Sequence, residues 1–112
     1  MKKKHKINHE FGEKWIEGLR SAQYDQTTGK LRAWVDDHYC FCANGVAYLA
    51  NGFEFASDTA VIFEGRSCSG FNSMGDLPIS AELFEEIVQL NDIKEKSFSE
   101  IADWIKANVE FI

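Results

Sequence analysis

One stretch constrains this chain more than any other: His38-Tyr39-Cys40-Phe41-Cys42-Ala43-Asn44-Gly45-Val46-Ala47-Tyr48-Leu49. Its first half alternates in the manner of a strand, and its second half is an apolar run closed by Asn51-Gly52, a helix stop signal. A segment with so little charge belongs at the centre of a fold, with the rest of the chain arranged to cover it. The same twelve residues hold two of the three cysteines and one of the three histidines, so chemistry has to be weighed there as well.

Asn8 is an N-cap for a first helix to about Ala22, with Phe11, Trp15, Ile16 and Leu19 on one face. A turn-rich link, Asp25 to Gly29, precedes Leu31, Ala33 and Val35, which alternate with Arg32 and Trp34. Asp36-Asp37 fits a tight turn into the antiparallel partner His38–Phe41. The helix from Cys42 to Ala50 comes next. Phe53–Phe55 and Ala60–Glu64 predict a second hairpin around Ser57-Asp58, and Gly65–Asp76 predicts a loop.

The C-terminal third is the clearest part. Ser80 caps a helix Ala81–Leu90 that Asn91-Asp92 ends, and Ile79 with Phe84 forms a hydrophobic staple. Ser97-Phe98-Ser99-Glu100 is a capping box, followed by Phe98, Ile101, Ala102, Ile105, Val109 and Ile112 at helical spacing. The expectation is a single α+β domain over residues 8–112, with about four helices packed around a small antiparallel sheet of two hairpins. Residues 1–7 are expected to be a disordered basic tail.

Charge narrows the partners. Residues 1–6 hold four of the twelve lysines and arginines, which leaves eight basic against eighteen acidic side chains, a net of −10 for the rest. Such a body repels phosphate, so direct nucleic-acid binding is disfavoured, and it suits a basic protein surface. No apolar run is long enough for a membrane span. Three cysteines without scaffold spacing predict free thiols in a reducing, cytoplasmic compartment.

A zinc site would draw on His38, Cys40, Cys42 and Cys68, but Cys-x-Cys is a poor zinc spacing, and buried free thiols are preferred. Cys42 at a helix start would have a lowered thiol pKa, yet His5, His9 and His38 all precede it, against the order of papain-like enzymes. Gly65, Gly70 and Gly75 are too widely spaced for a phosphate cradle. Asp36-Asp37 and Glu85-Glu86 fit a turn and a solvated helix face. No catalytic residue and no cofactor is therefore assigned. Recognition remains, with Trp34 on the polar side of its strand and Phe71 and Met74 in the loop as apolar anchors, and Asp36, Asp37 and Asp76 beside them.

These landmarks, in this order, resemble a family of small uncharacterised phage and prophage proteins. The matching residues are Trp15, Gly29-Lys30-Leu31-Arg32, Tyr39-Cys40, Gly45-Val46, Leu77-Pro78, Leu90-Asn91-Asp92 and Ser97-Phe98 through Ile101-Ala102-Asp103. Cys40-Phe41-Cys42-Ala43-Asn44 departs from the adjacent cysteines and leucine of that pattern. The resemblance implies a phage accessory role in the host cytoplasm and supplies no catalytic residues. The expected function is non-enzymatic binding of a host protein with a basic, nucleic-acid-binding surface, an inhibitor of a host defence system such as CRISPR being one concrete form. A thiol- or zinc-dependent protein centred on Cys40 and Cys42, and a structural homodimer, are the alternatives.

Overall fold

The computed structural model describes residues 3–69 and 77–112. Among them the elements run β1 (His5–Ile7), α1 (His9–Arg20), β2 (Asp25–Gln26), β3 (Arg32–Val35), β4 (His38–Phe41), α2 (Ala43–Ala50), β5 (Phe55–Ser57), β6 (Ala60–Phe63), β7 (Arg66–Ser69), α3 (Ala81–Val88), a π-helical turn (Gln89–Ile93), α4 (Phe98–Asn108) and β8 (Val109–Phe111). The class is α+β. Four helices share one core with three small sheets, of strand order β1-β8, β2-β4-β3 and β5-β6-β7.

The uncharged run forms the centre, as expected. In α2, Ala43, Val46, Ala47 and Tyr48 are fully buried, against Trp15 of α1 and the Leu83–Ile87 face of α3. Its closest approach is at Gly45: a Cβ there would lie 2.0 Å from the Leu31 carbonyl oxygen, so only glycine lets the helix start sit on that backbone. The Leu31 carbonyl in turn accepts the Cys42 N–H at 3.1 Å.

Local signals set most helix boundaries. Asn8 Oδ1 accepts from Phe11 N–H, Ser80 accepts from Leu83 N–H, and Ser97 with Glu100 closes a full capping box. Asp36 and Asp37 both have positive φ, 49° and 67°, the conformation of a two-residue type I′ turn whose twist suits a hairpin. That turn fixes the antiparallel register Val35↔His38, Trp34↔Tyr39, Ala33↔Cys40 and Arg32↔Phe41.

Several expectations are corrected. Residues 5–7 are a strand and not part of a disordered tail: β1 pairs in parallel with β8, Ile7 is buried, and His5 packs beside Trp104 and Glu86. The final helix stops at Asn108, because residues 109–111 become the partner of that strand. Both predicted hairpins form, β3–β4 and β5–β6, but they lie in separate sheets, and a third sheet pairs β1 with β8. Arg66–Ser69, placed in a loop by their small polar character, extend the second hairpin to a third antiparallel strand. Finally, Asn91-Asp92 does not end a helix; it sits in the π turn that continues α3.

The turn has a structural cause. It carries buried Asn91 inward, where its side chain joins three parts of the chain. Asn91 Oδ1 accepts from Ala43 N–H at 3.1 Å and from Gln26 Nε2 at 2.8 Å, while Nδ2 donates to Thr27 O at 2.8 Å and to Asp92 Oδ1 at 2.7 Å. A buried amide with every polar atom engaged is a structural joint, and π turns recur where a helix must re-aim a side chain. No helix among the described residues is long and apolar enough to cross a membrane.

Candidate functional site

The β2-β4-β3 sheet carries the exposed chemistry of the molecule, divided between its two faces by the period of the strands. On one face lie Arg32, Trp34, Tyr39 and Phe41; on the other, Ala33, Val35, His38 and Cys40. β2 runs parallel beside β4 with Asp25 opposite Cys40, which adds Asp25 to the second face.

The first face is an aromatic surface. Trp34 is 60% exposed and Tyr39 40%, and their rings meet edge-on with centroids 4.8 Å apart. The Arg32 guanidinium lies over the Tyr39 ring, 4.4 Å from its centroid, and reaches Asp58 at 3.1 Å. Tyr39 leads inward through Phe41 to Phe55 and Tyr24. The outer end of this chain of rings is therefore supported from beneath and is not a loose side chain. The two exposed turn aspartates Asp36 and Asp37 lie at its end.

On the second face, His38 Nε2 lies 2.6 Å from Asp25 Oδ2 and 3.7 Å from Cys40 Sγ. Its other nitrogen, Nδ1, is 3.1 Å from the Asp36 carbonyl oxygen. A carbonyl only accepts, so Nδ1 is the donor. The Asp36 carbonyl and, after it, the Asp25 carboxylate hold the His38 pKa above its ordinary value. Thiol and carboxylate face the same ring nitrogen, which is not the arrangement of a nucleophile–base–orienter triad, where they would occupy opposite nitrogens.

The structure thus separates the alternative zinc set His38, Cys40, Cys42 and Cys68. It brings His38 and Cys40 together but not the other two. Cys42 leaves the strand at φ −80°, ψ 171° to cap α2, with Sγ accepting the Gly45 N–H at 3.3 Å inside the core. Cys68 lies on β7, where Sγ donates to Arg66 O. Nor is Cys42 an activated thiolate: burial outweighs the helix-start hydrogen bonds and pushes its pKa up to about 11.

Among the proposed contact residues, Trp34, Asp36 and Asp37 are gathered on one hairpin, while Phe71, Met74 and Asp76 lie outside the described residues. Two participants had been missed. Tyr39 was legible, since a two-residue turn at Asp36-Asp37 places it opposite Trp34. Asp25 was not, because a two-residue parallel strand leaves no period to read.

One cavity, about 120 Å³, opens behind the start of α2 and is lined in part by Leu31, Cys42, Asn44, Phe84 and Asn91. Asn44 is 1% exposed; its Nδ2 donates to Phe84 O, while Oδ1 has no partner among the described residues.

Comparison with known proteins returned nothing: no family model, no curated protein and no solved structure matches the chain.

Proposed function

We propose that this protein acts by binding another protein, through the aromatic face of the β3–β4 hairpin, and not by catalysing a reaction. The observation that carries this reading is the Trp34–Tyr39 pair, two large rings held edge-on in solvent and braced by the rings beneath them. A rigid, exposed aromatic pair loses little side-chain entropy on binding, and such residues dominate interface energetics.

Charge indicates the partner. The turn beside the rings ends in Asp36 and Asp37, and the chain beyond its first six residues carries a net of −10. Two aspartates beside an apolar pair, on a chain of net negative charge, match a basic protein surface, whereas a second copy of this chain would meet it with like net charge. With the resemblance to phage proteins, this favours a host factor whose basic surface normally receives nucleic acid; inhibition of a defence system such as CRISPR is one form. The cytoplasm of the host cell is where such a factor would be met.

Affinity purification from host lysate tests this with three versions of the chain. The wild type is expected to retain one partner at low salt and release it as salt rises, and both Trp34→Ala and the double variant Asp36→Lys, Asp37→Lys are expected to lose it. A partner kept equally by the wild type and both variants would overturn the hairpin as the site. Light scattering that shows a wild-type dimer, converted to monomer by Trp34→Ala, would establish the homodimer reading instead.

A further inference from the structure

The second face of the same sheet has no part in that reading, and its geometry raises a separate question. Three donor atoms of different chemistry, Asp25 Oδ2, His38 Nε2 and Cys40 Sγ, all lie within 4.8 Å of one another. Two of these contacts converge on one ring nitrogen, Nε2. A proton on Nε2 accounts for this approach of carboxylate and sulfur, and a metal ion taking its place would be held by the same three atoms.

We propose that Asp25, His38 and Cys40 form a surface site for a divalent metal ion of the zinc class. The donor set is the mixture of carboxylate oxygen, imidazole nitrogen and thiolate sulfur that such an ion takes. Oxygen-seeking magnesium or calcium would find a single carboxylate here.

The supporting shell is also in place. His38 Nδ1 donates to the Asp36 carbonyl, and this hydrogen bond turns the ring and leaves Nε2 as the atom that faces Asp25 and Cys40. The Asp36 carbonyl is held by the type I′ turn, whose backbone is fixed by two consecutive residues of positive φ. His38 and Cys40 share a face because they are two residues apart on β4, and the parallel register sets Asp25 opposite Cys40. Each ligand is thus positioned by backbone pairing and not by a mobile loop.

Binding would displace the proton from Nε2 and the proton from the Cys40 thiol, both passing to solvent, and would form bonds to nitrogen, sulfur and one carboxylate oxygen. Cys40 is buried at one side of the group, whereas Asp25 and His38 are exposed at the other. Three protein ligands with an open side leave a fourth tetrahedral position to water or to a group from a partner. The ion would also tie β2, only two residues long, to β4.

Titration of the purified full chain with cobalt chloride tests the site, because a thiolate ligand gives cobalt a charge-transfer absorption. The expected result is a band saturating at one ion per chain and displaced by zinc. Cys40→Ala is expected to abolish it. His38→Ala, a change at an exposed position, should weaken binding by more than the about 10- to 100-fold that loss of a supporting partner costs. Asp25→Asn should weaken it less, and Cys68→Ser not at all. Absence of the band, its survival in Cys40→Ala, or equal affinity of wild type and His38→Ala would each overturn the proposal. None of these outcomes bears on partner retention through Trp34, so the two readings fail separately.

Discussion

Strand β4 links two regions that handle polar groups in opposite ways. At its root, where Phe41 passes into α2, every polar atom of the Asn91 side chain is engaged, and Gly45 lies so close to Leu31 that no side chain fits. At its tip, Trp34, Tyr39, Asp25 and His38 reach solvent, and the contacts they make are exposed ring edges and ion pairs. The root invests its polar groups in joining chain segments, so it determines whether the protein folds. The tip contributes little to folding, and that leaves its residues available for contacts with other molecules.

If this contrast is right, substitutions should separate the two regions by size of effect. The largest belongs to Gly45→Ala. The added methyl would lie 2.0 Å from a backbone oxygen that already accepts the Cys42 N–H, so α2 must move as a unit. A loss of about 3 kcal/mol or more is expected, read as a fall in the urea midpoint. A midpoint within error of the wild type would show that the root tolerates movement, and the contrast would be lost.

Asn91→Ala should come next. It strands the buried Ala43 N–H and the Thr27 carbonyl together, at an expected cost of about 2–3 kcal/mol in the same measurement. Loss of protection from hydrogen exchange should appear first around Thr27 and the start of α2, because those are the segments that the amide joins.

At the tip the expected changes are small. Trp34→Ala removes one edge-on ring contact and should cost under about 1 kcal/mol, while it abolishes partner retention. A cost as large as that of Asn91→Ala would make Trp34 a structural residue and weaken its assignment as an anchor.

The smallest effect is expected at a half-buried ion pair, where Glu86 faces exposed Lys4 and, at 3.0 Å, buried His5. The Lys4 hydrogen bond, ahead of that from His5, holds the Glu86 carboxyl below its ordinary value of 4.5. A depressed carboxyl pKa adds stability that is present above 4.5 and fades as pH falls through the lower folded value. Glu86→Gln should therefore cost under about 1 kcal/mol at neutral pH, and its stability curve should meet that of the wild type in acid. Curves that stay parallel from neutral pH to acid would show that the pair contributes nothing through charge.

Much of the root was legible. The uncharged Ala43–Leu49 run, the Asn51-Gly52 stop and the small residue at Gly45 all indicate a central, closely packed helix, and the helix is there. Its joint with Asn91 was not legible. An Asn-Asp pair after an apolar helix reads as a stop by local preference, and only the approach of Thr27 and Ala43 makes inward burial of the amide favourable. The tip shows the same division. Trp34, Asp36 and Asp37 share one hairpin because hairpin turns have a sequence signature, whereas the four residues of the alternative zinc set, His38, Cys40, Cys42 and Cys68, are not brought together. Spacing alone placed Cys42 beside Cys40, but the backbone changes from strand to helix between them and turns the second thiol into the core.

The sequence by itself therefore determined what depends on neighbours along the chain: the Asn8, Ser80 and Ser97 caps, the Asp36-Asp37 turn, the apolar helix faces and the acidic balance. Tertiary structure decided what depends on pairing between distant segments. β1 finds β8, and β2 finds β4 with Asp25 opposite Cys40, through parallel ladders of three and two residues. Strands that short carry no readable alternation, and their entropy of closure is offset only once the helical core has brought the segments together.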